Sequence, residues 1–233
     1  MSLKVGIIDL NCNNIFSIYG LCKNLNQKTK VIKNYKEFDK KTELIILPGV
    51  GAFSNAMQTL KNTNLFDEIY EHTVIKNKKV LGICLGMQLL FESSKEFTLS
   101  QGLGFLKGSV QILPRGKECF PNVGWRKITT KEKKLKKFNN KSFYFIHSYQ
   151  CVPSENDIIT SHIQYNKKKI CSSVEKNNIV GTQFHPEKSA EEGLNFFRNF
   201  SALILNGVLN MIFLLFFAIL KASSCQEKGV CAF

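Results

Sequence analysis

Arginine is scarce in this chain. Of 32 basic residues only three are arginines, Arg115, Arg126 and Arg198. Acidic residues are few as well, 18 in 233, so the formal net charge is +14. The lysines are scattered, with denser stretches at Lys76–Lys79, Lys127–Lys141 and Lys167–Lys169. No basic stripe is interleaved with aromatics, as a nucleic-acid surface would require. The charge therefore reads as a solvated face, open to an acidic protein partner or phosphorylated substrates, and no nucleic acid is expected. The eight cysteines include no C-x-x-C pair, which excludes a zinc knuckle or thioredoxin-type motif. They are expected as reduced thiols in a cytoplasmic protein. No metal-ligand cluster, Walker A loop or dinucleotide fingerprint is present, so neither metal nor cofactor is expected. The N-terminus, with one lysine, a short apolar run and Asp9, is a first strand rather than a secretory signal.

Long apolar runs are also absent until the end. Met211–Leu220 is ten apolar residues, against the ~20 that span a bilayer. With Lys221 directly after it, this tail reads as a terminal helix packed on the domain, a marginal membrane anchor, or an appended segment.

What is present suits a globular protein: 44% hydrophobic and 21% charged residues over a length of one large or two small domains. In the first half, short apolar runs at 4–9, 30–33, 43–47 and 79–84 alternate with helical periodicity at 14–25, 53–60, 65–76 and 85–91. That alternation predicts an α/β fold, a mixed and mostly parallel sheet flanked by helices. The second half turns β-rich, with strands expected at 103–113, 122–130, 142–150, 157–165, 169–174 and 178–184 and a charged loop at 131–141. A helix over 190–205 closes it, with Ser189 as N-cap.

One local pattern carries chemistry. Gly82-Ile83-Cys84-Leu85-Gly86 lies between a predicted parallel strand and a helix. It is the cysteine form of the G-x-S-x-G nucleophile elbow, where a sharp turn stands the nucleophile above the sheet's carboxyl edge. The following helix N-terminus favours an anionic sulfur. A thiol nucleophile needs a base. His185-Pro186-Glu187 follows an apolar strand, and in an extended segment residues i and i+2 share a side. Glu187 can thus orient His185, which can activate Cys84. Pro48-Gly49-Val50-Gly51 follows another strand and offers backbone N–H groups to an oxyanion, though an ordinary strand-to-helix turn would have the same composition.

Leu-Pro-Gly-Val-Gly, Gly-Ile-Cys-Leu-Gly-Met-Gln and Gln-Phe-His-Pro-Glu-Lys-Ser, in this order, resemble the class I (triad) glutamine amidotransferases. Within that family the chain is most similar to glutaminase subunits that serve imidazole glycerol phosphate synthesis. The stretches 102–108, 121–125 and 143–149 add to the likeness, which covers roughly residues 3–206. The resemblance implies a flavodoxin-like glutaminase domain over 1–206 and leaves 207–233 as an extension of unknown role. It implies a triad of Cys84, His185 and Glu187, and an oxyanion hole at the Gly51 and Leu85 amides. Gln88, Ser148 and Tyr149 would hold L-glutamine. Tyr144 and Lys188 would face a separate synthase (cyclase) subunit, a (β/α)8 barrel in a heterodimer, which receives the ammonia. The products would be imidazole glycerol phosphate and the aminoimidazole carboxamide ribonucleotide of histidine biosynthesis. One departure stands out. The family's glycine-containing turn after the first strand is here Asp9-Leu10-Asn11-Cys12-Asn13-Asn14, without glycine. Two other readings stay open: a glutaminase subunit for a sugar amidotransferase of surface-polysaccharide or flagellin-sugar synthesis, and a catalytically silent binding subunit of the same fold.

Overall fold

The computed structural model describes residues 2–11 and 14–205. The apolar run Met211–Leu220 and the division at residue 206 lie outside them. Among the described residues, no helix is long and apolar enough to cross a membrane.

The first half runs β1 (Lys4–Ile8), α1 (Ile15–Asn24), β2 (Lys28–Ile32), β3 (Leu44–Leu47), α2 (Phe53–Asn62), α3 (Leu65–Tyr70), β4 (Lys79–Ile83) and α4 (Leu85–Leu89). The second half is strand-rich: β5 (Phe91–Ser94), β6 (Ser100–Gln101), β7 (Leu106–Ile112), β8 (Asn122–Lys127), β9 (Ser142–His147), β10 (Tyr149–Pro153), β11 (Ile159–Tyr165), β12 (Lys168–Lys176) and β13 (Ile179–Thr182). Helix α5 covers residues 190–205.

A seven-stranded sheet, ordered β11-β12-β13-β4-β3-β1-β2, forms the middle layer. From β13 to β2 the pairings are parallel, and β12 and β11 add antiparallel. The expected mixed, mostly parallel α/β sheet is the one observed. Its central strands explain themselves. Parallel strands covered on both faces read as unbroken apolar runs, and the four residues of β3 are all fully buried. Edge strand β2 instead carries exposed Lys28 and Lys30, which discourage pairing with another chain.

Helices cover both faces. On one, α2 presents Phe53, Ala56, Met57 and Leu60 at helical spacing, packed with β3, β4 and the smaller sheet β10-β7-β5-β6. On the other, α1 and α5 close over Val5, Ile7, Leu44, Ile46, Leu81 and Ile83. A third cluster, rich in phenylalanine, joins Phe138, Phe143, Phe145, Phe184 and Phe196. It binds the β8-β9 ribbon to the end of β13. The Phe143 and Phe184 rings lie 4.3 Å apart, and Phe184 immediately precedes His185.

Several expectations need correction. The helix expected over 85–91 ends at Leu89, and Phe91 opens β5. The single strand expected over 142–150 is two strands in different sheets. His147 is the last partner of β8, at Asn122, and Tyr149 is the first partner of β7, at Ile112. A continuous apolar pattern hides such a switch, because both strands bury alternate side chains. The charged loop at 131–141 contains a 3-10 turn, Lys133–Phe138, held by the burial of Phe138. The Ser189 side chain does not cap α5. Its Oγ donates to the His185 carbonyl (2.6 Å) and accepts from the Tyr144 N–H (2.9 Å).

Asparagine does much of the work that glycine does elsewhere. Among the described residues, seven of the eleven non-glycine positions with positive φ are asparagines, the residue type besides glycine that most readily enters left-handed backbone. Asn11 (φ 56°) is one, in the turn that lacks glycine, and its N–H is held by Asp9 Oδ1 at 2.8 Å.

His72 is buried beneath this frame, with Nε2 3.1 Å from the Lys79 carbonyl. Burial lowers its pKa to about 4; the carbonyl opposes the shift, and the Lys78 and Lys76 charges add to it. An unfolded chain binds that proton near its ordinary 6.5. The contribution to stability is therefore complete above 6.5 and is lost as pH falls towards 4. The denaturation midpoint is expected to drop over that interval, and His72→Gln should make the drop shallower. Urea titrations at stepped pH measure both slopes.

Candidate active site

The site is built where β4 ends. Parallel pairing sets Ile83 beside Thr182, and the Cys84 N–H donates to the Thr182 carbonyl at 2.7 Å. The chain then turns sharply into α4, with Cys84 at φ 52°, ψ −104°. A non-glycine residue held there costs about 1–3 kcal/mol, which the surrounding packing must offset. Two glycines make the turn feasible by close approach. A Cβ on Gly86 would lie 1.9 Å from the Leu47 carbonyl oxygen, and one on Gly82 would lie 2.5 Å from the Gly86 oxygen. The elbow thus sits hard against β3.

The Cys84 sulfur lies 3.7 Å from the Ile146 carbonyl and 3.5 Å from Gln183 Nε2. His185 and Glu187 follow on the neighbouring strand end, both side chains fully buried. Glu187 Oε1 lies 2.7 Å from His185 Nδ1. A carboxylate only accepts, so Nδ1 carries the hydrogen. His185 Nε2 is buried and has no hydrogen-bond partner among the described residues. The His185 backbone is tethered as well: its main-chain N–H donates to the Tyr144 carbonyl (2.9 Å), and its carbonyl accepts from Ser189 Oγ. Burial works against the imidazolium. The Cys84 charge, together with the Glu187 hydrogen bond and charge, outweighs it and holds the pKa at about 10. The arrangement therefore favours an imidazolium beside the sulfur, the charge state that lets one group attack and the other hand on a proton.

Cys84 opens onto a cavity of about 280 Å³. Gly51, Leu85, Gln88, Ser148 and Tyr149 line it with Cys84, so six positions singled out in the sequence surround one space. Gly51 has φ 133°, a conformation that a side chain would strain. His147 also lines the cavity, but it is fully engaged. Its Nδ1 donates to the Tyr149 carbonyl (2.7 Å), so Nε2 must accept from Asn122 Nδ2 (2.8 Å). Burial lowers its pKa to about 4, with the His185 charge acting in the same direction. This neutral imidazole fixes the turn that carries Ser148 and Tyr149.

Tyr144 and Lys188 lie off the cavity. Tyr144 is half-buried, edge-on to Trp125 with ring centroids 6.0 Å apart, and Lys188 is exposed in the turn after Glu187. Tyr144 borders an uncovered apolar face. Val123 pairs with Ile146 and Trp125 with Tyr144 across the β8-β9 ribbon, and Val123, Trp125 and Ile146 are all exposed.

Three contributors were not anticipated. Asn14 Nδ2 donates to Glu187 Oε1 at 2.9 Å. Glu96 lines the cavity while its Oε2 accepts from the Phe53 N–H (2.6 Å) at the start of α2. Gln183 reaches the sulfur. Only Gln183 left a sequence signal, since two residues before His185 on an extended segment it points to the same side.

Residues 7–203 match the family described as glutamine amidotransferase class-I. The chain belongs to the class-I glutamine amidotransferases. It is 42% identical over 197 residues to the imidazole glycerol phosphate synthase subunit HisH of Prochlorococcus marinus, covering 83% of this chain and 91% of that one. The subunit of the same name in Aquifex aeolicus is 37% identical over 201 residues, covering 85% and 96%. The PurLQS structure from Thermotoga maritima superposes with a TM-score of 0.67 at 18% identity, covering 91% of this chain and 100% of that one. A glutamine amidotransferase structure from the same organism gives 0.56 at 18%, covering 80% and 77%. These two share the amidotransferase fold.

The amidotransferase elbow gives a direct test. In Gly86→Ala the new methyl collides with backbone rather than with a movable side chain. The expected loss is about 3 kcal/mol or more, read from the urea midpoint. A variant as stable as the wild type would show that the β3–α4 contact is not fixed.

Proposed function

We propose that this chain is the glutaminase subunit of an imidazole glycerol phosphate synthase. It hydrolyses L-glutamine to glutamate and ammonia and delivers the ammonia to a separate cyclase subunit. The observation that carries the reading is the buried row of Glu187, His185 and Cys84 beside a cavity with polar walls, in a chain about 40% identical to subunits of that name.

The steps follow from the groups present. The Cys84 thiolate attacks the side-chain amide carbon of glutamine. The developing oxyanion is met by backbone N–H groups at Gly51 and Leu85. His185, held as Nδ1–H by Glu187, gives its Nε2 proton to the departing nitrogen, and ammonia leaves behind a glutamyl thioester. His185 then takes a proton from water, which adds to the thioester. Glutamate departs, and the thiolate beside the imidazolium is restored. Glutamine and water are consumed; glutamate and ammonia are formed. Gln88, Ser148 and Tyr149 orient the amino-acid end, and the Glu96 carboxylate suits its ammonium group.

The partner seats on the apolar ribbon face bordered by Tyr144, and Lys188 faces it. Exposed Val123, Trp125 and Ile146 are large apolar side chains that a second surface would bury, and Ile146 is the residue whose carbonyl faces the nucleophile. A (β/α)8 barrel presenting an open end there completes the reading. Residues 1–206 form the glutaminase domain, and 207–233 take no part in its chemistry.

Cys84→Ala is expected to abolish ammonia release from glutamine in the complex, while synthesis from added ammonia by the partner continues. Equal loss of both activities would overturn the assignment. The pH dependence follows from His185. The imidazolium donates the proton to the leaving group, so kcat/KM should fall as pH rises through about 10. A coupled glutamate assay across the alkaline range measures that limb.

A further inference from the structure

We propose that Gln183 is a catalytic residue: its side-chain amide donates a hydrogen bond to the Cys84 sulfur that holds the thiolate for attack, and Gln88 sets the direction of that amide. This rests on the glutaminase reading above and adds a donor to it.

Register brings the two residues together. Because β13 and β4 are parallel with Thr182 beside Ile83, the next residue on each strand, Gln183 and Cys84, leaves the sheet side by side. Alternation then places Gln183 and His185 on the same side of their strand. The neutral amide of Gln183 is the N–H group that reaches the sulfur from this segment.

Gln183 is fully buried. A buried amide must find partners at both ends. Here Oε1 accepts from Gln88 Nε2 at 3.3 Å, and Nε2 lies 3.5 Å from Cys84 Sγ. The orientation has one consistent solution. Gln88 Nε2 also lies 3.3 Å from the Tyr149 carbonyl, an atom that only accepts. The nitrogen end of Gln88 is therefore fixed, and the end of Gln183 facing it must be oxygen. The Gln183 nitrogen is left facing the sulfur. Reversing the amide would set two donors against each other at Gln88 and an oxygen against the thiolate.

The sulfur needs such a donor. As a thiol it points its hydrogen at the Ile146 carbonyl, 3.7 Å away. Once ionised it faces that carbonyl oxygen with no hydrogen between them, in a buried setting where unpaired charge is costly. The Gln183 N–H offsets that repulsion and keeps the sulfur from withdrawing into the wall. Hydrogen bonds to ionised groups are the stronger kind.

The titratable groups around the sulfur are His185 and Glu187 after β13, His147 at the end of β9, the Cys151 thiol on β10 and Glu96 across the cavity. Gln183→Met keeps all of them and adds no charge, whereas Gln183→Glu adds a carboxylate beside the sulfur.

The test uses the full chain with Gln183→Met, which keeps length and removes the donor, and Gln183→Glu, which is nearly isosteric and sets an acceptor at the sulfur. Iodoacetamide labelling of the Cys84 peptide, followed by mass spectrometry, distinguishes it from the other cysteines. At neutral pH labelling should slow about ten-fold in Gln183→Met and more in Gln183→Glu. The wild-type and Gln183→Met rates should approach each other as pH rises. In the complex, kcat should fall about ten-fold with KM changed less than about two-fold. Labelling as fast as wild type in a variant with wild-type circular dichroism overturns the proposal. So does slowing by one constant factor at every pH, which signals altered access. Failure of the glutaminase reading looks different: the wild-type complex then releases no ammonia from glutamine, while the labelling comparison stands on its own.

Discussion

The whole site depends on one crossing of backbone. Helix α4 passes so close to β3 that the Gly86 position touches the Leu47 carbonyl, and this contact forces the reversal at Cys84. A turn of that sharpness has no room for side chains at either flank, which is why glycines bracket the cysteine. The strain at Cys84 is stored locally and balanced by the surrounding core. On β3 all four residues are buried. On α4 all five are buried. Cys84 is therefore held in place by the packing of the two elements that flank it.

The second determinant is the parallel register of β4 and β13. It decides which residues can meet the sulfur, since strands that leave the sheet together deliver their next residues together. Gln183, His185 and Glu187 descend from β13 in alternation, and the phenylalanine cluster around Phe184 fixes where that descent begins. The β8-β9 ribbon is bonded to the same segment through the Tyr144 carbonyl and Ser189. An exposed apolar face thus stands one hydrogen bond from the His185 backbone. A surface that covered this ribbon would lie against the element bonded to the His185 backbone.

Charge is handled by different means on the surface and inside. Outside, an excess of lysine is left in water. Inside, the ionisable groups have defined partners: His147 is held neutral between Asn122 and the Tyr149 carbonyl, and His185 is biased towards its charged form by sulfur and carboxylate. Two histidines close to one cavity therefore play opposite electrostatic parts. Burial is similar for the two, so the difference comes from what each ring faces.

The sequence by itself determined the α/β class, the central strands, the elbow and the three residues aligned on it. Those features are local: a buried parallel strand is an apolar run, a sharp turn needs glycine, and a proline-fixed strand end sets spacing two residues apart. It determined the family as well, through motifs in order. Only the tertiary structure decided what came from distant elements. Asn14 reaches Glu187 from 173 positions away, and Gln88 turns the Gln183 amide from 95. Glu96 lines the cavity with its carboxylate held at the start of α2, 43 positions away. The switch at Ser148, from ribbon to second sheet, was invisible because both strands alternate in the same phase. Contacts of this kind depend on register between strands, and no single stretch of chain encodes it.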